Sequence, residues 1–321
     1  MKVEMKQKIH KFIQNGMYIL LDINSGAVHV VDKMIFDIMD YFDGENDGEV
    51  LAELAGKYAE ADLQEALEEL HYLMKIQQLY APDLDVPPTF KQKGLVKSLC
   101  LMIAQDCNLR CKYCFGDGGS YGQERAIMSP ETGRKAVDFL IEASGPRKHC
   151  EMDFFGGEPL MNMKTVKAVT EYVRQREKET GKKFKLTLTT NGILLNDENI
   201  KCLNYNEFSL LLSLYGRKEV HDPIRPCVGG QGSYDKAVAN FHKCLDSRKG
   251  GDYDYRGVYT YLRGTYTKNN MDFTKDVLSI NEEGFEILSM EPVDIKDSSL
   301  GFTDEHLPLI SDHYKKLFAS K

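Results

Sequence analysis

Tryptophan is absent from the 321 residues, and 17 Tyr with 15 Phe supply the large aromatics. No stretch approaches the roughly 18–20 uninterrupted apolar residues of a membrane-crossing helix, so no membrane partner is expected. The opening segment, Met1–Gly16, is mixed polar and lacks the apolar centre of a secretory leader. Positive charge is not in excess either. Lys and Arg number 41 against 49 Asp and Glu, a net of −8, which argues against phosphate-backbone binding and so against a nucleic-acid partner. Internal repeats and low-complexity tracts are missing. Eight cysteines without a paired framework indicate a reduced, cytoplasmic setting. The length leaves room for two or three domains with ample core.

Three of the cysteines are not scattered. Cys107, Cys111 and Cys114 lie in Asp106–Phe115, directly after the apolar stretch Leu99–Ala104. Three thiolates can hold three irons of a [4Fe–4S] cube, which normally takes four cysteine ligands. The fourth iron is then open to a small molecule. A structural zinc site would want a fourth ligand, usually from a second Cys or His pair at short spacing. The other cysteines (Cys100, Cys150, Cys202, Cys227, Cys244) stand singly and read as small buried hydrophobes. Cys227 is set apart by its place in the loop beside Arg225. The triad is therefore read as a redox-cluster motif rather than a zinc site.

The chain divides in two. Residues 1–83 open with strand-like runs at Lys8–Ile13, Tyr18–Asp22 and Ala27–Val31, with Asn24-Ser25-Gly26 as a hairpin signal. Helical segments follow near Lys33–Phe42, Glu49–Lys57 and Leu63–Ile76, the last with Leu63, Ala66, Leu67, Leu70 and Leu73 at helical spacing. This pattern resembles a small winged helix-turn-helix (α+β) domain. DNA binding is disfavoured, because the third helix carries Glu65, Glu68 and Glu69 against Lys75. A proline-rich linker covers 84–94.

From 95 to 292, strand-like stretches (Ser98–Ala104, Glu151–Phe155, Phe184–Thr190, Glu207–Ser213, Arg256–Leu262, Phe285–Ser289) alternate with helical ones, among them Pro130–Ala143, Met163–Glu179 and Tyr234–Arg248. Six βα units in one direction imply a parallel α/β sheet, curled or closed. Functional groups in such folds gather at the carboxyl ends of strands. The cysteines follow strand one, Gly156-Gly157-Glu158-Pro159 strand two, Thr190-Asn191-Gly192 strand three and Ser213 strand four. That shared placement predicts one site. The remainder, 293–321, offers a helix over Asp304–Lys316.

Cys107-x3-Cys111-x2-Cys114, with Tyr113 before the last Cys and Gly-Gly-Glu-Pro later, resembles the radical SAM superfamily. The resemblance implies a partial (β/α)6 barrel, one [4Fe–4S] cluster on Cys107, Cys111 and Cys114, and S-adenosylmethionine on the open iron. It implies further that Gly156, Gly157 and Glu158 hold the ammonium, Thr190 and Asn191 give ribose or substrate contacts, and Ser213 touches the cofactor. Tyr113 is then expected near the adenine, and Arg225 at the methionyl carboxylate, which an arginine fork suits. No general base is assigned.

More narrowly, Asp106–Phe115, Met152–Asn162, Gly216–Asp222, Gly229–Asp235 and Arg263–Thr267 are similar to SCIFF-type maturases, which build thioether bridges in Cys-rich ribosomal peptides. Leu21–His29 resembles the PqqD-like domain that takes the precursor's leader as an added strand. The implied partners are that precursor peptide and an external one-electron reductant of the flavodoxin or ferredoxin class. Other radical SAM modifications (carbon–carbon crosslinking, epimerisation, sulfatase-type oxidation) and a non-catalytic peptide-binding role are the alternatives. Two departures stand out. Tyr215 occupies a position where the family often has Asp. No Cys follows Cys244, so the relatives' Cys-rich SPASM segment is read as missing or truncated, and auxiliary clusters are not expected.

Overall fold

The structure, a computed structural model, describes residues 8–83, 94–250, 257–295 and 299–319. Nearly all of the expected linker, Arg256 at the start of an expected strand, and parts of the 1–83 and 293–321 segments lie outside the described residues. The chain forms two compact units, Met1–Gln92 with Phe318–Lys321, and Lys93–Leu317.

In the first unit β1 (Ile9–Gln14), β2 (Met17–Asp22) and β3 (Val28–Val31) form an antiparallel sheet in that order. Asn24-Ser25-Gly26 does turn β2 into β3, and the buried Asp22 staples the turn. One of its carboxylate oxygens accepts from the Asn24 and Ser25 amides at 2.9 Å each, and the other from the Ala81 amide at 3.0 Å. Three helices follow, α1 (Lys33–Ile38), α2 (Asp47–Leu54) and α3 (Glu60–Lys75). Asp32 caps α1 by accepting from the Ile35 amide at 2.8 Å. The apolar stripe of α3, Leu63, Ala66, Leu67 and Leu70, is buried with Leu20, Ile38, Phe42 and Val50. Each leucine so buried contributes roughly 1.5–3 kcal/mol, and that stripe is why α3 forms despite its acidic outer face.

The second unit is α/β. Its elements run β4 (Ser98–Ala104), α4 (Pro130–Ala143), β5 (His149–Gly156), α5 (Met163–Thr180), β6 (Lys183–Thr190), α6 (Asp197–Tyr205), β7 (Ser209–Ser213), α7 (Lys218–Ile224), α8 (Tyr234–Asp246), β8 (Thr260–Tyr266), α9 (Phe273–Glu282), β9 (Leu288–Pro292) and α10 (Leu307–Ala319). The six strands are parallel and ordered β4-β5-β6-β7-β8-β9, with β4 and β9 at the two margins.

Strand alternation sorts the side chains. Leu101, Ile103, Cys150, Met152, Phe154, Leu186, Leu188, Leu210, Leu212 and Leu262 form the core together with Val137, Leu140, Val166, Val169 and Phe241 from the helices. Residues of the opposite parity, among them Asp153, Phe155, Thr189, Leu211, Arg263 and Glu291, line one cavity. A sheet whose successive strands wall a common space is curled, so the unit is a partial barrel. Of the five lone cysteines expected to be buried, Cys150 and Cys244 are core residues, whereas Cys202 and Cys227 are half-buried and Cys100 is exposed.

Most elements fall where the periodicity places them. Ser129 caps α4 by accepting from the Thr132 amide at 3.1 Å, with Pro130 at the first helical position. The last two strands differ, lying three or four residues later than expected. Gly264, in the middle of β8, weakens the strand signal there. A Cβ at Gly264 would stand 2.6 Å from Met290 Sδ and 2.7 Å from the Leu214 carbonyl, so neighbouring strands require the bare backbone. The expected helix over 304–316 begins as a 3-10 turn at Asp304–His306 and becomes α-helical only from Leu307.

Candidate functional site

The loop leaving β4 is pinned on two sides. Backbone N–H groups of Arg110 and Lys112 donate to the Pro226 and Ile224 carbonyls at 2.8 and 2.9 Å, and the Val228 amide donates to the Asn108 carbonyl at 3.1 Å. On the other side the Gly157 and Glu158 amides donate to the Ala104 and Asp106 carbonyls at 2.8 and 2.9 Å. Here the two glycines have a reason that sequence alone did not supply. A Cβ on Gly156 would lie 2.4 Å from the Ala104 carbonyl oxygen, and one on Gly157 2.2 Å from that of Asp106. Gly156 also has φ 129°, a backbone region closed to other residues. The pair lets two loops meet backbone to backbone, in addition to leaving the cavity wall bare.

That cavity, about 700 Å³, brings together Cys107, Cys111, Cys114, Tyr113, Gly156, Gly157, Thr190, Asn191, Ser213 and Arg225. Every residue expected from the sequence to hold the cluster or its ligand lines it except Glu158, which lies behind the wall and is 0% exposed. The Glu158 carboxylate accepts from the Leu160 amide at 3.0 Å, the Thr190 hydroxyl at 2.9 Å and the Asn191 amide at 2.8 Å. Burial pushes its pKa up to about 7, with those hydrogen bonds working the other way. Thr190 spends its hydroxyl on Glu158, so it offers the cavity backbone rather than side chain.

Arg225, 5% exposed, donates to the Tyr113 hydroxyl at 2.7 Å and to the Ser213 carbonyl at 3.2 Å, while its Nε has no partner among the described residues. His221 supports this loop from behind. Its Nδ1 accepts from the Tyr215 amide at 3.2 Å, which leaves the proton on Nε2, 2.9 Å from Ser233 Oγ. The Ser233 hydroxyl donates onward to the Arg225 carbonyl at 2.6 Å. Burial, then the Arg225 charge, pushes the His221 pKa down to about 2, so the imidazole is a neutral strut. Asp222 caps α8 by accepting from the Ser233 and Tyr234 amides, each at 2.9 Å. Tyr215 is fully buried beneath Tyr113, and its hydroxyl lies 2.9 Å from Thr267 Oγ1 and 3.0 Å from Asn270 Oδ1, away from the cavity.

The residues fit a cluster and a carboxylate-bearing ligand. All eight cysteines are free thiols. Burial pushes the Cys107 thiol up to about 12 and raises Cys111 too, so only bound metal would hold these groups as thiolates near neutrality. Among the described residues no three His, Cys, Asp or Glu side chains converge tightly enough to share one ion. Cys107, Cys111 and Cys114 nevertheless line one cavity, and three thiol donors are the ligand type an iron–sulfur cluster takes. The buried Nε of Arg225, without a protein partner, suits an anion. Cys227 pairs through its backbone with Leu109, beside the triad, but does not line the cavity.

Sequence reasoning missed several lining residues, namely Asp153, Arg263, Glu291, Asp294 and Tyr121. Asp153 was legible. A carboxylate inside a parallel strand that otherwise reads Met-Phe-Phe is an exception demanding a reason. Among the described residues its buried Oδ1 has no partner and its Oδ2 meets the Cys100 thiol at 3.8 Å, and burial raises its pKa.

Residues 101–258 match the family model described as the Radical SAM superfamily. The chain is 33% identical over 139 residues to a cysteine-type anaerobic sulfatase-maturating enzyme from Clostridium perfringens, covering 40% of this chain and 35% of the relative. It is 27% identical over 139 residues to the radical SAM cyclopropyl synthase TigE from Paramaledivibacter caminithermalis, covering 39% of this chain and 28% of that one. The matched part thus spans well under half of these relatives. Among solved structures, native anSMEcpe with bound AdoMet and Kp18Cys peptide has a TM-score of 0.57 at 23% identity, over 70% of this chain and 59% of that chain.

Proposed function

We propose that this protein, whose residues 101–258 match the radical SAM superfamily, removes a hydrogen atom from a carbon of a Cys-bearing peptide, the atom passing to a deoxyadenosyl radical, and that the peptide leaves with a thioether crosslink. As the crosslink forms, the Cys thiol gives up its proton to solvent and one electron to an external carrier of the flavodoxin or ferredoxin class. A [4Fe–4S] cluster and S-adenosylmethionine are the cofactors of such a domain, and together they supply a carbon-centred radical after one-electron reduction. In this reading Cys107, Cys111 and Cys114 hold the cluster. Gly156, Gly157, Asn191, Ser213 and Tyr113 give the wall against which the sulfonium ligand lies, and the Arg225 fork meets its carboxylate. Glu158 and Thr190 act one layer further back by fixing Asn191. The single observation that carries the reading is the convergence of the cysteine triad and the half-paired Arg225 on one cavity.

The part of the lining around Asp153 is where the peptide would lie. A peptide segment drawn into a barrel brings amide N–H groups that need acceptors, and the buried Asp153 Oδ1 is an acceptor that needs a donor. The antiparallel sheet and three helices of the first unit suit the winged-helix, PqqD-like reading. The outer margin of β3, with Val28 62% and Val30 65% exposed, is a surface to which a leader strand can add. A flavodoxin- or ferredoxin-class reductant is the matching electron donor, and the cytoplasm the matching compartment. Among the described residues no helix is long and apolar enough to cross a membrane.

A second reading, oxidation of a peptide Cys at its carbon, draws on the 33% identity to the sulfatase-maturating relative. Mass spectrometry separates the two. A thioether product loses two hydrogens and keeps its sulfur, whereas a Cys converted to an aldehyde loses the sulfur. The test is anaerobic loading with iron and sulfide, then reductant, S-adenosylmethionine and a synthetic Cys-rich peptide. Deoxyadenosine formation that vanishes in Cys107→Ala, Cys111→Ala and Cys114→Ala is the expected result. A colourless protein that takes up no iron would end this reading.

A further inference from the structure

Asn191 holds an orientation that ligand binding alone does not explain. Its Oδ1 accepts from the Ile193 amide at 3.1 Å, which fixes the side-chain amide and turns Nδ2 away. Nδ2 then donates to Asn108 Oδ1 at 2.8 Å and stands 3.6 Å from Cys107 Sγ. The backbone of Asn191 is tied in turn to the Glu158 carboxylate, itself held by Leu160 and Thr190. At 7% exposure Asn191 has little freedom to leave this position. Leu109 supplies a second N–H to the same sulfur at 3.4 Å. Of the three cysteines in the triad, only Cys107 has a side-chain N–H donor recorded on its sulfur among the described residues.

We propose that Asn191 is a positioning residue that sets the reduction potential of the cluster by hydrogen-bonding the Cys107 sulfur, and that Glu158 serves the site chiefly by holding Asn191 there. This rests on the assignment of Cys107 as a cluster ligand. Hydrogen bonds to cluster sulfurs draw off negative charge and so favour the reduced, more negative state. The Gly-Gly-Glu-Pro segment and the Thr-Asn-Gly turn thereby act on one sulfur through a continuous set of buried contacts.

The test uses the full chain loaded anaerobically with iron and sulfide, without peptide or S-adenosylmethionine, and reads the cluster by electron paramagnetic resonance during a redox titration. Asn191→Ala and Asn191→Asp both remove the N–H. Each is expected to keep wild-type iron and sulfide content while titrating at a lower potential. At a fixed poise the ratio of reduced to oxidised cluster should fall about three- to tenfold, tenfold being about 59 mV for one electron. Variants with full iron content and an unchanged midpoint would overturn the proposal. Should neither variant retain iron, wild-type protein carrying nitrogen-15 asparagine decides the matter by electron–nuclear double resonance. A hyperfine coupling from asparagine side-chain nitrogen in the reduced cluster supports the contact, and its absence refutes it. Failure of the wild-type chain to take up iron and sulfide would instead remove the cluster assignment beneath.

Discussion

The Arg225 guanidinium donates to the Tyr113 phenol at 2.7 Å, joining the cysteine loop to the segment after α7 across one wall of the cavity. Tyr113 is itself stacked on Tyr215, with ring centroids 5.1 Å apart and planes 18° apart. The guanidinium is thus aimed before any ligand arrives. Of its three remaining N–H groups, the buried one on Nε suits an anion.

Arg225→Lys keeps the charge and loses the planar fork. The dissociation constant for S-adenosylmethionine is expected to rise at least about tenfold, or about 1.4 kcal/mol, by equilibrium dialysis under anaerobic conditions. Tyr113→Phe, which keeps the stack and removes only the phenol, should change affinity far less. Equal losses in the two variants would show that the phenol, not the fork, is what matters.

Glu158 gives the protein a pH signature. Its folded pKa, near 7, lies above the ordinary carboxyl value, so between those limits the folded chain binds more protons than the unfolded one. The contribution of Glu158 to stability is then fully present at pH 4 and declines as pH rises toward 7, by on the order of 3 kcal/mol. Glu158→Gln should be the less stable protein in acid, because it cannot accept all three hydrogen bonds. The gap between the two should narrow as pH rises. Urea melts between pH 4.5 and 8 would show parallel curves if Glu158 were ionised throughout.

Asp153→Ala should separate the two halves of the reaction. Peptide-independent deoxyadenosine formation is expected to persist. Peptide modification should fall by tenfold or more, the scale of a lost hydrogen bond to a charged acceptor. Replacing the amide N–H of the modified residue with an ester should cost the wild type most of that loss and cost Asp153→Ala little. Unaltered modification in Asp153→Ala would remove this residue from the peptide's path.

The β3 margin can be tested without touching the barrel. Val28→Asp with Val30→Asp places charge on a solvent-facing apolar pair and should disturb folding little, since exposed sites typically shift stability by under about 0.5 kcal/mol. Leader binding, followed by fluorescence polarisation with a labelled leader peptide, is expected to weaken at least tenfold. Unchanged binding would place the leader elsewhere.

The sequence carried much of this arrangement because its signals were local. Ser129-Pro130 marked the start of α4, the leucine stripe marked α3, and the cysteine spacing with Gly-Gly-Glu-Pro marked the cavity. What escaped was non-local. Gly264 reads as a strand breaker until the facing Met290 and Leu214 are known. Glu158 and Thr190 read as ligand contacts, and only the tertiary structure shows them bonded to each other behind the wall. Tyr215 looked like a lost acceptor, yet its hydroxyl is turned toward Thr267 and Asn270. Arg263 and Glu291 pair across adjacent strands, a match that neither strand announces by itself.

The sheet stops short of closing, since β9 does not pair with β4. A sealed cylinder would admit its guest only through a mouth, end first. Two unjoined margins do not impose that end-first entry, although the outer side of β4 is itself bridged at Ala104 by Ile127.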